Sequence, residues 1–233
     1  DPTSIGIDIL LTNTIDTSGW SSIISSMEET FLAINPYVVQ FGDAKEPLDV
    51  GAHNDILFEL SMDELPKVVE SGEINHVVDI LYKSRQDIMN SSAGIGFITI
   101  VPDIDGVLRR LPIIAELNGM LVPHFFFKLL SEHLGYKISN IELASPYELI
   151  LNKFPYGDTL KSLHIPLDGN GNMLINYMSF DKILYQMKSG QFTSIPAWNL
   201  MQYPKTLDFN GKTIIFGDHS LSSKDYSITP LNA

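Results

Sequence analysis

Apolar positions along the chain change their period several times, and each change marks an element. Residues 5–11 are β-branched and almost continuously apolar, the pattern of a strand covered on both faces. Helical spacing follows through Trp20, Ile23, Ile24, Met27, Phe31 and Ile34, with Thr17 or Ser18 as N-cap and Asn35-Pro36 as the stop. Residues 37–41 read as the next strand. Strand, helix, strand in that order predicts a right-handed parallel crossover. A polar loop covers 42–54, and helical spacing is read again at Ile74, Val77, Val78, Leu81 and Ile88.

Residues 94–101 form a strand, 102–106 a turn rich in Asp and Gly, and 107–117 a strand running back, interrupted at Pro112. Pro123 opens a helix with Phe126, Leu129, Leu130 and Leu134 on one face and Gly135 at its end. Short strands are read at 138–143 and 147–151, a strand at 172–177, a short helix at 180–187 ended by Gly190, and a final core strand at 212–216. No internal repeat or low-complexity linker divides the chain. The expectation is one α/β domain over residues 5–230, with a mixed, mainly parallel sheet flanked by helices and an antiparallel hairpin near 95–118.

Charge narrows the function. The 233 residues carry 15 basic and 28 acidic side chains, a net charge of 15 − 28 = −13. That balance opposes a phosphate backbone and an anionic lipid surface alike. No apolar run reaches the ~18 residues of a membrane span. With no cysteine, thiolate catalysis, disulfides and Cys-ligated zinc are excluded. The start, Asp1-Pro2-Thr3-Ser4, is neither an initiator Met nor a signal peptide, and reads as part of a longer polypeptide.

Candidate chemistry is sparse. There is no G-x-S-x-G elbow, H-E-x-x-H, P-loop or kinase set, and no two of the six His (53, 76, 124, 133, 164, 219) have metal-ligand spacing. Asp168, Asn170 and Asn172 open like a calcium loop, but Met173 and Ser179 stand where an EF-hand needs Gly and Glu. A tight turn is the preferred reading. Asp103, Asp105 and Gly106 form a second acidic turn, with Arg109 and Arg110 just beyond it. Alternation along a strand would let only one arginine face that turn, pinning it as an Asp–Arg pair. The functional alternative is recognition of an anion or carboxylate by arginine. Asp218, His219 and Ser220, after the last strand, suggest a hydrolase, but triad members normally converge from separate loops.

Residues 96–112 contain a glycine-led strand, a D-x-D-G turn, V-x-R-R and an apolar-Pro strand, matched by Asp103, Asp105, Gly106, Arg109, Arg110 and Pro112. This resembles the second type of CHASE domain, a sensory module of cyclases and histidine kinases. Residues 165–177 look like that family's P-L-D-x-x-G-x-x-L-I-N-Y stretch. Residues 209–217, with Asp225 and Thr229-Pro230, are similar to its closing pattern, and residues 5–11 to its early G-x-D-I-L strand. The patches follow the family's order across most of 5–230. The family's preceding strand and W-P-W-x-R helix have no counterpart here, and Asp218 to Leu221 replace its usual small residues after Gly217.

The resemblance implies a non-catalytic, ligand-sensing input domain on the extracytoplasmic face of a bacterial inner membrane, within a membrane-anchored cyclase or histidine kinase. Its partner would be an unknown small molecule or a periplasmic protein, with a homodimer conceivable, no nucleic acid and no cofactor. Arg109 and Arg110 are the candidate ligand-binding residues. The competing expectation is a soluble hydrolase-like enzyme using Asp218, His219 or Ser220.

Overall fold

A computed structural model of the chain describes residues 4–8, 32–43, 74–118, 120–137, 140–190, 193–202, 209–217 and 228–231. β1 (Ser4–Asp8) lies between β12 (Thr213–Gly217) and β2 (Leu32–Gly42), and both run parallel to it. β2 also pairs in parallel with β4 (Gly94–Phe97), and along its second half antiparallel with β3 (His76–Lys83). β3 meets β6 (Ile114–Leu117) in parallel at His76 and Glu116, and β6 is antiparallel to β7 (Met120–Pro123).

His124, directly after β7, bridges to Phe97 at the end of β4. β2, β3, β6, β7 and β4 therefore form a closed circuit, two of whose seams are single bridges, His76 to Glu116 and Phe97 to His124. One buried cluster draws on all five strands, with Tyr37, Val77, Phe97, Leu117 and Val122 among its members. A second core lies under an antiparallel sheet of β8 (Ile141–Ser145), β9 (Glu148–Tyr156) and β10 (Thr159–Pro166), where Leu149 and Leu151 meet Ile114, Leu121 and Phe127. β5 (Arg110–Pro112) and β11 (Asn172–Leu174) make a two-stranded antiparallel sheet.

Four helices are described: α1 (Gln86–Asn90), α2 (Phe125–Leu134), α3 (Phe180–Lys188) and α4 (Ala197–Gln202). α2 packs on β1, β2 and β4, with Phe125 and Leu129 buried against Ile34. His124 caps it, since its Nδ1 accepts from the Phe126 N–H at 3.2 Å. The His124 N–H donates to the Ile113 carbonyl at 2.8 Å, and its carbonyl accepts from Lys128 N–H at 2.9 Å. Because Nδ1 accepts, the ring proton sits on Nε2. Burial holds the imidazole neutral and lowers its pKa to about 3.

The mixed sheet agrees with expectation, as do the parallel β1–β2 pair, the break beside Pro112, the left-handed Gly135 cap and the 180–188 helix. Several expectations are corrected. Strand β2 begins at Leu32 and passes through Asn35-Pro36, so no helix runs to Ile34; the rest of that predicted helix lies outside the described residues. Residues 76–83 are a strand, not a helix, because Val77, Val78 and Ile80 suit the pleat and β2 offers an edge, and only Gln86–Asn90 turns helical. The 94–101 and 107–117 segments do not pair with each other: β4 joins β2, and the hairpin is β6–β7, turning at Asn118 with φ of 51°.

On α2 the buried face holds Phe125, Lys128 and Leu129, whereas Phe126 and Leu130 are exposed. Lys128 takes a core position by pairing with Glu132 at 2.9 Å. The short strands lie at Ile141–Ser145 and Glu148–Tyr156, and β10 and α4 were not anticipated. β12 sits at the end of the sheet order with Ile215 and Phe216 exposed, rather than in the core. Helices flank the sheet less than expected, and most described elements are strands.

His124 sets a testable pH dependence. Its pKa in the folded chain lies below the unfolded value near 6.5, so its contribution is complete above pH 6.5 and is lost as pH falls towards 3. Between pH 7 and pH 5 this amounts to about 2 kcal/mol. His124→Asn keeps a cap acceptor without a titrating ring. Urea unfolding at both pH values is expected to show a smaller loss in this variant, and an equal loss would contradict a neutral buried ring.

Candidate functional site

The acidic turn after β4 closes through two backbone hydrogen bonds, Gly106 N–H to the Asp103 carbonyl at 2.8 Å and Asp103 N–H to the Val107 carbonyl at 3.0 Å. Gly106 has φ of 80°, which a side chain would oppose. Asp105 Oδ1 accepts from the Val107 N–H at 3.1 Å. Both arginines then fold back onto the turn. Arg109 Nη1 donates to Asp103 Oδ2 at 3.0 Å and to Asp105 Oδ1 at 2.9 Å, while Arg110 Nη1 donates to Asp103 Oδ1.

The expectation that only one arginine could face the turn is therefore wrong. Arg109 precedes β5, which begins at Arg110, so strand alternation does not govern the pair. Each guanidinium takes one oxygen of the same carboxylate. Arg109 holds the Asp105 carboxyl below the usual range, helped by the Val107 N–H. Asp105, and after it Asp103, raise the Arg109 pKa further.

Arg110 also reaches the second turn, with Nε 3.5 Å from Asp168 Oδ2. Asp168 spends its oxygens on its own loop. Oδ1 accepts from Asn170 N–H at 3.0 Å and Asn172 N–H at 3.2 Å, and Asn172 Nδ2 donates to Oδ2 at 3.0 Å. This is the tight turn expected, opened by Gly169 and Gly171 with φ of 89° and 82°. Among the described residues no group of three or more His, Asp or Glu could hold a metal ion.

Asn75 was not anticipated. Its Nδ2 donates to Asn172 Oδ1 at 2.9 Å and its N–H to the Asn170 carbonyl at 2.9 Å, while its own carbonyl accepts from Glu116 N–H at 2.9 Å. Glu116 pairs with His76 at 3.1 Å. No local motif announces Asn75, because its partners lie 97 residues away and its stretch read as helix. On the other side, Val107 bridges in parallel to Ile228, Leu108 N–H donates to the Ile228 carbonyl at 2.7 Å, and Ile175 N–H donates to the Arg109 carbonyl at 2.8 Å.

Three carboxylates and two guanidiniums thus meet in one cluster of net charge −1, chemistry suited to ionic recognition. His133 lies apart at 2.8 Å from Thr213 Oγ1, and His164 at 2.9 Å from Glu148. Asp218, His219 and Ser220 lie outside the described residues.

A model of the CHASE2 domain matches residues 1–232. The chain belongs to the CHASE2 family. No curated protein and no solved structure matches it. CHASE2 domains are extracellular sensory domains, and the match takes in both acidic turns, the paired arginines and Asn75. Among the described residues of this CHASE2 chain, no helix is long and apolar enough to cross a membrane.

Asp103, as the shared acceptor of both arginines, is the residue whose loss should cost most in this cluster. Asp103→Ala is expected to lower stability by about 1–2 kcal/mol, a modest figure because the arginines are part-exposed. Arg109→Gln and Arg110→Gln should each cost less and combine non-additively, since they share one carboxylate. Denaturant unfolding measures all four, and an Asp103→Ala variant as stable as the parent would refute the shared role.

Proposed function

We propose that this CHASE2 domain is the ligand-sensing, non-catalytic input module of a membrane-anchored bacterial receptor. It would lie on the extracytoplasmic face of the inner membrane and drive a cyclase or histidine kinase output. The observation that carries this reading is the family match over essentially the whole chain. The net charge of −13, which opposes nucleic acid, supports it.

Arg109 and Arg110 are proposed as the ligand-recognising residues. The contact of Arg110 with Asp168 is the exchangeable one, because at 3.5 Å it is the longest in the cluster. A carboxylate or similar anion on a small molecule would take Asp168's place there, forming a charge-assisted pair at little cost in desolvation. A ligand that prefers one arrangement of the two turns shifts the population presented to the output. A full switch from 1:99 to 99:1 needs about 5.5 kcal/mol of differential binding. A periplasmic protein, or a second copy of the chain, could bias the same equilibrium.

A thermal-shift screen of the domain against small organic anions and other metabolites tests this. A ligand at 100 times its dissociation constant is expected to raise the midpoint by roughly 5–11 °C. Arg110→Gln should abolish that shift. A shift that survives the substitution would overturn the proposed site, and a flat screen would overturn the small-molecule reading in favour of a protein partner.

A further inference from the structure

Three features outside the family reading invite a role. The open edge of β10 exposes Leu160 and Leu163, yet the bulge after Lys161 and the lysine itself are the devices by which edges resist pairing. The buried Nε2 of His124 lacks a hydrogen-bond partner, but it sits among the Phe97 and Phe126 rings rather than in a described opening. The third feature carries further, because it joins distant parts of the chain in an unbroken series of contacts.

At one end of that series is the segment around Ile228, gripped by Val107 and by the Leu108 N–H at 2.7 Å. The same short stretch continues into Arg109 and Arg110, whose guanidiniums share Asp103. Arg110 passes to Asp168, Asp168 holds Asn172, and Asn172 accepts from Asn75 at 2.9 Å. Asn75 in turn takes the Glu116 N–H at the seam where β3 meets β6. Every link is polar: the Asn75–Asn172, Asn172–Asp168 and arginine–Asp103 links are hydrogen bonds, and the Arg110–Asp168 link is an ion pair. The longest is the 3.5 Å ion pair between Arg110 and Asp168, which joins the two turns beside the backbone pairing of β5 with β11.

We infer that this Asn75–Asn172–Asp168–Arg110–Asp103 series is a mechanical linkage through which the β3–β6 seam controls how tightly the domain grips the segment at Ile228. It deepens the sensory reading above and rests on it for its biological use: displacement of Asp168 from Arg110 is the step that would loosen the grip. Contiguity alone does not demonstrate coupling, so the linkage must be read at its far end after a change at its near end.

The test is hydrogen exchange of the Leu108 amide, followed by NMR in the 233-residue chain without ligand. Asn75→Ala removes the side-chain donor at one end, leaving its backbone N–H on the Asn170 carbonyl, and Arg110→Gln removes the charge in the middle. Each is expected to speed exchange at Leu108 by about fivefold or more, since opening energies near 1 kcal/mol read out on that scale. The double variant should exceed the single ones only slightly, because both break the same series. Asn152→Ala, which cuts the contacts of Asn152 with Glu142 and Ser162 in the other sheet, should leave Leu108 unchanged.

If Asn75→Ala fails to fold, Asn75→Asp keeps its shape while removing the side-chain donor and serves in its place. Unchanged Leu108 exchange in the Asn75 variant would overturn the linkage. So would equal acceleration across β8 and β9, which signals global loosening, or fully additive effects in the double variant. The measurement needs no ligand. A failed linkage therefore leaves the sensory reading standing, and a flat ligand screen leaves the linkage standing.

Discussion

The circuit of five strands depends on one close approach of two backbones. A Cβ at Gly96 would lie 2.6 Å from the Phe125 nitrogen and closer still to its Cα, distances that leave room for hydrogen alone. That contact lets the start of α2 rest on β4 and brings His124 within bridging distance of Phe97. The bridge closes the circuit of five strands. The His124 N–H then fixes the Ile113 carbonyl, and with it the line of residues 107–112. The acidic turn and its two arginines are carried on that line, so their placement depends on a glycine that touches neither.

The proposed ligand face is built from opposite charges in a strongly acidic chain. Three aspartates meet two arginines, and the guanidiniums each hold one oxygen of Asp103. In a protein of net charge −13, the two guanidiniums bring this cluster close to neutrality, and they are the groups proposed to meet a competing anion. Its contacts are part-exposed and individually modest. That suits the proposed exchange with a ligand better than a buried, fully paired ion cluster would, since breaking the latter costs far more.

What sequence could reveal divides along physical lines. The acidic turns, the Gly135 cap of α2 and the 180–188 helix were legible because Gly, Asp and short-range periodicity act within a few residues, whereas Pro123, read as the start of α2, ends β7 and leaves the N-cap to His124. Strand pairing was not, because a register is decided by partners far away. Residues 76–83 have apolar positions compatible with either period, and only the β2 edge settles the choice. The β6–β7 hairpin did carry a local sign in Asn118-Gly119, a strong short-range turn signal that the larger 94–117 pattern obscured. At the site, the residue types were readable and their convergence was not. Alternation seemed to separate Arg109 from Arg110, and nothing near Asn75 points to a loop 97 residues away.

The most direct test is the melting temperature of Gly96→Ala. One methyl group placed against the Phe125 backbone should cost about 3 kcal/mol, the upper range for an overpacked core. For a chain of this size that is a fall of roughly 6–12 °C. Such a fall would support the view that the approach of β4 to α2 holds the five-strand circuit closed. A melting temperature unchanged from the parent would contradict it, and with it the route by which the acidic turn is placed.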